Sequence, residues 1–165
     1  VPIVEPEVLM DGNHTIDRCA EVTESTLEAV FDELNSQGVE LSGIILKPNM
    51  VISGKNCPEQ ADTDDVAIRT IECFRRSVPA DVPGVMFLSG GQSEAEATAH
   101  LNAMNGNKDG CPWILSYSFG RALQESALKS WSGKIENINR AQDNLLNRAR
   151  LNSSACAAQY IGEAA

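Results

Sequence analysis

Lys47 closes the apolar run Gly43-Ile44-Ile45-Leu46 and is followed at once by Pro48-Asn49, which places an amine at the end of a strand. Lysines in that position usually carry the amine out to water along an apolar stem. In a dry pocket the neutral form is favoured instead, and a neutral amine can form a Schiff base with a carbonyl substrate. A second candidate is Glu5-Pro6-Glu7, whose carboxylates lie two residues apart and face the same side of an extended strand. Two carboxylates sharing a pocket push one pKa upward, which suits a group that both gives and takes protons near neutrality. Taken alone, the same pattern is common on solvated strand faces.

Two further runs suggest a grip on phosphate. Leu88-Ser89-Gly90-Gly91-Gln92-Ser93 joins a strand to a helix through paired glycines, so backbone N–H groups at Ser89, Gly90 and Gly91 are free to face an anion beside a helix N-terminus. Ser118-Phe119-Gly120-Arg121 repeats the arrangement on the next strand, and Arg121 adds a planar, permanently charged fork. Neither run is a dinucleotide fingerprint or a P-loop. His14 and His100 are far apart and sit in no ligand motif, so no metal and no other cofactor is expected. No G-x-S-x-G elbow is present, and no cysteine has an evident histidine partner.

These residues need elements to position them, and four successive units supply such elements. Each unit is an apolar strand run, a turn, and an amphipathic helix, covering roughly residues 1–37, 38–78, 79–106 and 107–133. In the first unit Ile16, Cys19, Thr23, Leu27, Val30, Phe31 and Leu34 recur at helical spacing, which predicts a helix from Ile16 to Ser36. Thr63-Asp64-Asp65 opens the second helix, Ser93-Glu94-Ala95-Glu96 is a capping box for the third, and Gly120 precedes the fourth. A last helix is predicted over about 136–150, with Ile138, Ala141, Leu145, Leu146 and Ala149 on its apolar side.

Strands free of charge, alternating with helices, imply an α/β fold with a parallel sheet, either an open doubly wound sheet or part of a (β/α)8 barrel. A complete barrel takes roughly 250 residues, so four units would make half of one. Barrel chemistry gathers at the carboxyl ends of several strands, and here candidates stand at the end of all four. If the glycine-rich runs follow strands seven and eight, Lys47 belongs to strand six and Glu5 to strand five.

The 165 residues, with 42% hydrophobic and 22% charged content, have the composition of a globular domain. A net charge of -10 argues against nucleic acid or an anionic membrane as partner. No apolar stretch is long enough to span a bilayer. The five cysteines form no C-x-x-C pair and are odd in number, which fits reduced thiols rather than a disulfide framework. The opening on Val1-Pro2-Ile3-Val4, already a strand, is that expected of a segment of a longer polypeptide.

Taken together, Val1-Pro2-Ile3-Val4-Glu5-Pro6-Glu7, Leu46-Lys47-Pro48-Asn49-Met50-Val51, Phe87-Leu88-Ser89-Gly90-Gly91-Gln92-Ser93-Glu94, Leu101-Asn102-Ala103-Met104-Asn105 and Phe119-Gly120-Arg121-Ala122-Leu123-Gln124 resemble class I fructose-bisphosphate aldolase. The resemblance implies the second half of a (β/α)8 TIM barrel, strands five to eight with their helices. It also implies a metal-independent lyase of glycolysis, gluconeogenesis or the photosynthetic cycle, cytoplasmic or plastid, with a sugar-phosphate substrate and a homotetrameric whole protein. By that likeness Lys47 forms the Schiff base, Glu5 is the main acid/base, and Glu7 lies beside the lysine and tunes it. Ser89, Gly90, Gly120 and Arg121 match positions that hold phosphate, with Ser118 in the same pocket.

The chain departs from the family pattern at Ser42, where many members are acidic, and at Phe119, often Tyr. It also lacks the family's first-half aspartate and lysines and the terminal tyrosine, so the isolated segment is expected to be inactive. The competing expectation is a non-catalytic derivative that meets other proteins.

Overall fold

In a computed structural model, which describes residues 1–163, four strands alternate with helices. They are β1 (Ile3–Val4), α1 (Ile16–Ser36), β2 (Ile45–Leu46), α2 (Thr63–Ser77), β3 (Gly84–Phe87), α3 (Glu94–Gly106), β4 (Ile114–Tyr117), α4 (Arg121–Trp131) and α5 (Ile138–Cys156). The strands form one sheet in the order β1-β2-β3-β4, every pair parallel. A doubly wound sheet reverses its strand order at a switch point, and this sheet does not.

Register explains why one face is packed and the other open. Val4 pairs with Leu46, Leu46 with Val85, and Val85 with Leu115. Partners in a parallel ladder point to the same side, and along this row Leu46, Val85 and Leu115 are buried under the helices. Phe87, two residues beyond Val85 and on the same side, stacks on Phe74 of α2 with ring centroids 5.6 Å apart. The neighbouring row, Ile3, Ile45, Gly84 and Ile114, lies on the opposite side, where Ile3 is 58% and Ile114 68% exposed. This open face is what half of a closed barrel presents, since its inner side chains pack against the other half.

The helices begin where the sequence supplies caps. Thr15 accepts from Arg18 N, Asp62 from Asp65 N, and Ser93 from Glu96 N. Glu96 completes the capping box by accepting from Ser93 N, and the hydrogen bonds with Ser93 hold its carboxyl below the usual range despite partial burial.

Two expectations are corrected. The strands are shorter than the apolar runs: Gly43 belongs to a 3₁₀ turn at Leu41–Gly43, and β2 keeps only Ile45–Leu46. The last helix runs to Cys156 rather than Arg150, and its predicted apolar side is not its buried side. Ile138, Leu145 and Leu146 stay exposed, while Arg148, Asn152 and Ala155 are buried. Polar partners on α3 hold this helix, and no hydrophobic periodicity registers them. No helix among the described residues is long and apolar enough to cross a membrane.

Leu46 is fully buried between the strand rows and the helices. Leu46→Ala is expected to lower unfolding free energy by about 2–5 kcal/mol, read from chemical denaturation.

Candidate active site

The strands end together, so the loops that follow them share one rim. Lys47 N donates to Val4 O at 2.7 Å, which carries the ladder one step past β1 and β2 and sets Lys47 beside Glu5. Lys47 Nζ then lies 2.8 Å from Glu5 Oε1. The lysine side chain is 20% exposed and the glutamate 48%, so the pair is half-sheltered on the open face of the sheet. The amine sits against a carboxylate with which it can exchange a proton. Glu7 is exposed, and among the described residues it forms no salt bridge. The carboxylate in contact with the lysine is Glu5, and Glu7 lies two residues farther along the chain, beyond the strand pairing.

The same extension occurs across the other strands. Leu88 N donates to Pro48 O at 3.0 Å and Ser118 N to Phe87 O at 2.8 Å. The loops after β3 and β4 therefore leave the sheet side by side. Ser89 is buried, and Gly90 and Gly91 adopt φ of +51° and +76°, a backbone that glycine reaches without steric cost. Gly91 has a second constraint, because a Cβ there would meet Met10 Sδ at 2.8 Å. In the next loop Gly120 caps α4 without any side-chain hydrogen bond, unlike Thr15, Asp62 and Ser93 at the starts of α1, α2 and α3. The α4 N-terminus thus offers unfilled donors next to the exposed, cationic Arg121. Ser118, the first residue after β4, is partly buried.

Two supports of this rim escaped the sequence reading. Gln92 closes the glycine turn from behind: its backbone N and its Nε2 both donate to Ser89 O, each at 2.9 Å. Its Oε1 then accepts, at 2.6 Å, from His100 Nδ1 on α3, which fixes the proton on that nitrogen. His100, on α3, is therefore a buried brace behind the turn. The other is Lys55, whose amine lies 3.2 Å from where a Gly91 Cβ would be. It is held there by a ribbon in which Gly54 N donates to His14 O, Lys55 N to Met10 O and Asn56 N to Gly12 O. Lys55 reaches Gly91 from a loop distant in the chain, which no local motif signals, and the Gln92–His100 contact links the glycine turn to α3 across eight residues.

The family model described as fructose-bisphosphate aldolase class-I matches residues 1–165. The chain belongs to that family. Fructose-bisphosphate aldolase B of Gallus gallus is 54% identical over 161 residues, covering 98% of the chain and 44% of the relative. The cytoplasmic isozyme of Cicer arietinum is 54% identical over 162 residues, covering 98% of the chain and 45% of the relative. A solved structure of the aldolase from Plasmodium falciparum superposes with a TM-score of 0.95 at 50% identity, covering 99% of the chain and 47% of that structure's chain. The chain thus spans about half the length of the relatives it matches, and its fold is half of an aldolase TIM barrel.

Burial lowers the His100 pKa from its ordinary 6.5, against a smaller opposing effect of Glu96. The folded state binds fewer protons there than the unfolded chain, so this contribution to stability is present above that value and lost as pH falls below it. Acidification from about pH 7 to about pH 5 is expected to lower the melting temperature of wild type more than that of His100→Gln. Equal losses in the two proteins would exclude the brace as the titrating group.

Proposed function

We propose that the protein to which this chain belongs cleaves fructose 1,6-bisphosphate reversibly into dihydroxyacetone phosphate and glyceraldehyde 3-phosphate, with Lys47 as the Schiff-base nucleophile. The observation that carries the reading is the contact of Lys47 Nζ with Glu5 Oε1 at 2.8 Å on the open rim. Glu5 accepts a proton from the ammonium, leaving a neutral amine to attack the C2 carbonyl. The resulting carbinolamine loses its hydroxyl as water, protonated by the same carboxyl group, and becomes an iminium. As the C3–C4 bond breaks, its electron pair flows into the iminium to give an enamine, while the C4 hydroxyl gives its proton to Glu5 and becomes the aldehyde. Reprotonation at C3 and hydrolysis then release dihydroxyacetone phosphate and restore Lys47.

The phosphates fit the cationic side of the same rim. Ser89, Gly90 and Gly91 supply backbone donors after β3, and Ser118, Gly120 and Arg121 do so after β4. Holding the substrate at its charged ends keeps the ketone over Lys47, which lowers the entropic cost of attack. Glu7, two residues beyond Glu5, adds negative charge to this part of the rim. The reaction needs no metal, because the iminium itself is the electron sink. Family likeness further supports a cytoplasmic homotetramer, and the Cicer arietinum relative is a cytoplasmic isozyme.

Borohydride reduction of the full-length protein in the presence of dihydroxyacetone phosphate is expected to leave a stable adduct on Lys47, located by peptide mass spectrometry. Adduct on a different lysine, or none, would refute the assignment. Lys47→Met is expected to lower kcat by at least about 10³-fold, since the covalent route is lost entirely. Assayed alone, the 165-residue chain is expected to show no cleavage, as its inner face is open to water.

A further inference from the structure

Arg148 is the most deeply buried charged side chain among the described residues, 3% exposed on the inner side of α5. Its guanidinium grips the first turns of α3: Nη2 donates to Glu94 O at 2.8 Å and to Thr98 Oγ1 at 2.5 Å. Thr98 Oγ1 also lies 2.6 Å from Asn152 Oδ1, which ties α5 to α3 a second time. A guanidinium removed from water is costly unless an anion faces it. Among the described residues the anion is Glu163, beyond the end of α5, whose Oε1 accepts from Nη1 at 2.6 Å.

Glu163 brings the chain end with it. Tyr160 OH donates to the same Glu163 oxygen at 2.8 Å, and Tyr160 N donates to Asn102 Oδ1 on α3 at 2.9 Å. Residues 157–163 therefore lie as a strap across α3, pinned at its middle by Tyr160 and at its end by Glu163. Burial works against the Glu163 carboxylate, but hydrogen bonds from Arg148 and Tyr160 outweigh it and hold its carboxyl below the ordinary range. Burial first, and the bond to Glu163 second, push the Tyr160 phenol up to about 12.

Glu94 connects this lock to the rim. It is the first residue of α3, directly after the Ser89–Gly91 turn and Ser93. Its backbone oxygen receives Arg148, while its Oε1 accepts from Ser126 N of α4 at 3.0 Å. The helices that follow both glycine-containing loops are thus joined at Glu94, and Arg148 holds that junction from behind.

We propose that Arg148, with Glu163 as its counter-ion, is a positioning residue for the phosphate site, locking the strap onto α3, fixing the start of α3 behind the Ser89–Gly91 loop and, through Glu94 and Ser126, bracing the middle of the helix that follows the Ser118–Arg121 loop. The inference rests on the reading of those loops as the phosphate grip. Coupling of this kind is reciprocal: phosphate bound at the rim strengthens the strap, and a detached strap weakens phosphate binding.

The test uses the full-length protein as wild type, Glu163→Gln and Arg148→Lys, the last keeping the charge but losing the fork. Hydrogen exchange at the Tyr160 amide is expected to quicken about tenfold or more in both variants, and in wild type to slow on adding dihydroxyacetone phosphate. KM for fructose 1,6-bisphosphate is expected to rise roughly 5- to 20-fold with kcat changed less than about twofold. Unchanged exchange at Tyr160 would overturn the lock. Faster exchange with unchanged KM would overturn its link to the phosphate site. Because the exchange measurement without ligand needs no turnover, a wild type that neither binds triose phosphate nor cleaves the bisphosphate would sink the functional reading, and this inference with it, in a separately visible way. If Arg148→Lys does not fold, Glu163→Gln, altered at a half-exposed carboxylate, decides the matter alone.

Discussion

Parallel pairing in strict sequence order is the constraint on which everything else in this molecule rests. Because β1 to β4 run the same way, their carboxyl ends meet at one rim, and residues far apart in the chain reach it together. A shift of one residue between β1 and β2 would separate Glu5 from Lys47, because alternate residues of a strand face opposite sides. The backbone bond from Lys47 N to Val4 O therefore fixes the chemistry as well as the fold. The burial of Leu46, Val85 and Leu115 holds this register, since a slip would expose that whole row.

The rim is supported by polar contacts behind it more than by apolar ones. Gln92 and His100 close the glycine turn from the helix side, and Arg148 clasps the start of α3. Such groups are costly to bury unless each finds a partner, so they hold the loops in one arrangement where apolar packing would tolerate several. The network is not perfectly satisfied: Arg148 Nε and Asn152 Nδ2 are buried without a partner among the described residues. That imbalance makes the remaining bonds to Glu94, Thr98 and Glu163 harder to lose, since a further loss would leave a charge more exposed to the cost of burial.

Helix α1 shows how much was legible in the chain alone. Its bounds and its buried positions Cys19, Thr23, Leu27 and Phe31 follow from helical period, which is a local property, while the Thr15 cap was found only in the structure. Val30, on the same predicted face, is only partly buried, because that side of α1 looks toward the edge of the half barrel. Helix α5 shows the limit. Its apolar positions lie along an open groove with Leu128 and Trp131 of α4, while its seam with α3 is made by an arginine, an asparagine and an alanine. Hydrophobic periodicity weighs burial of carbon and cannot register a buried ion pair whose partner stands beyond the helix.

The sequence by itself determined the parallel α/β class, the helix starts, the family, and the residue types of the site: Lys47, Glu5, the paired glycines and Arg121. These are carried by short motifs, and short motifs act through local backbone geometry and side-chain chemistry. Tertiary structure alone decided that Glu5 rather than Glu7 touches the lysine, that His100 and Lys55 attend the glycine turn, and that Arg148 and Glu163 strap the chain end to α3. Each of those depends on strand register or on the meeting of two loops or helices, which the packing of the whole sheet sets and no run of neighbouring residues encodes.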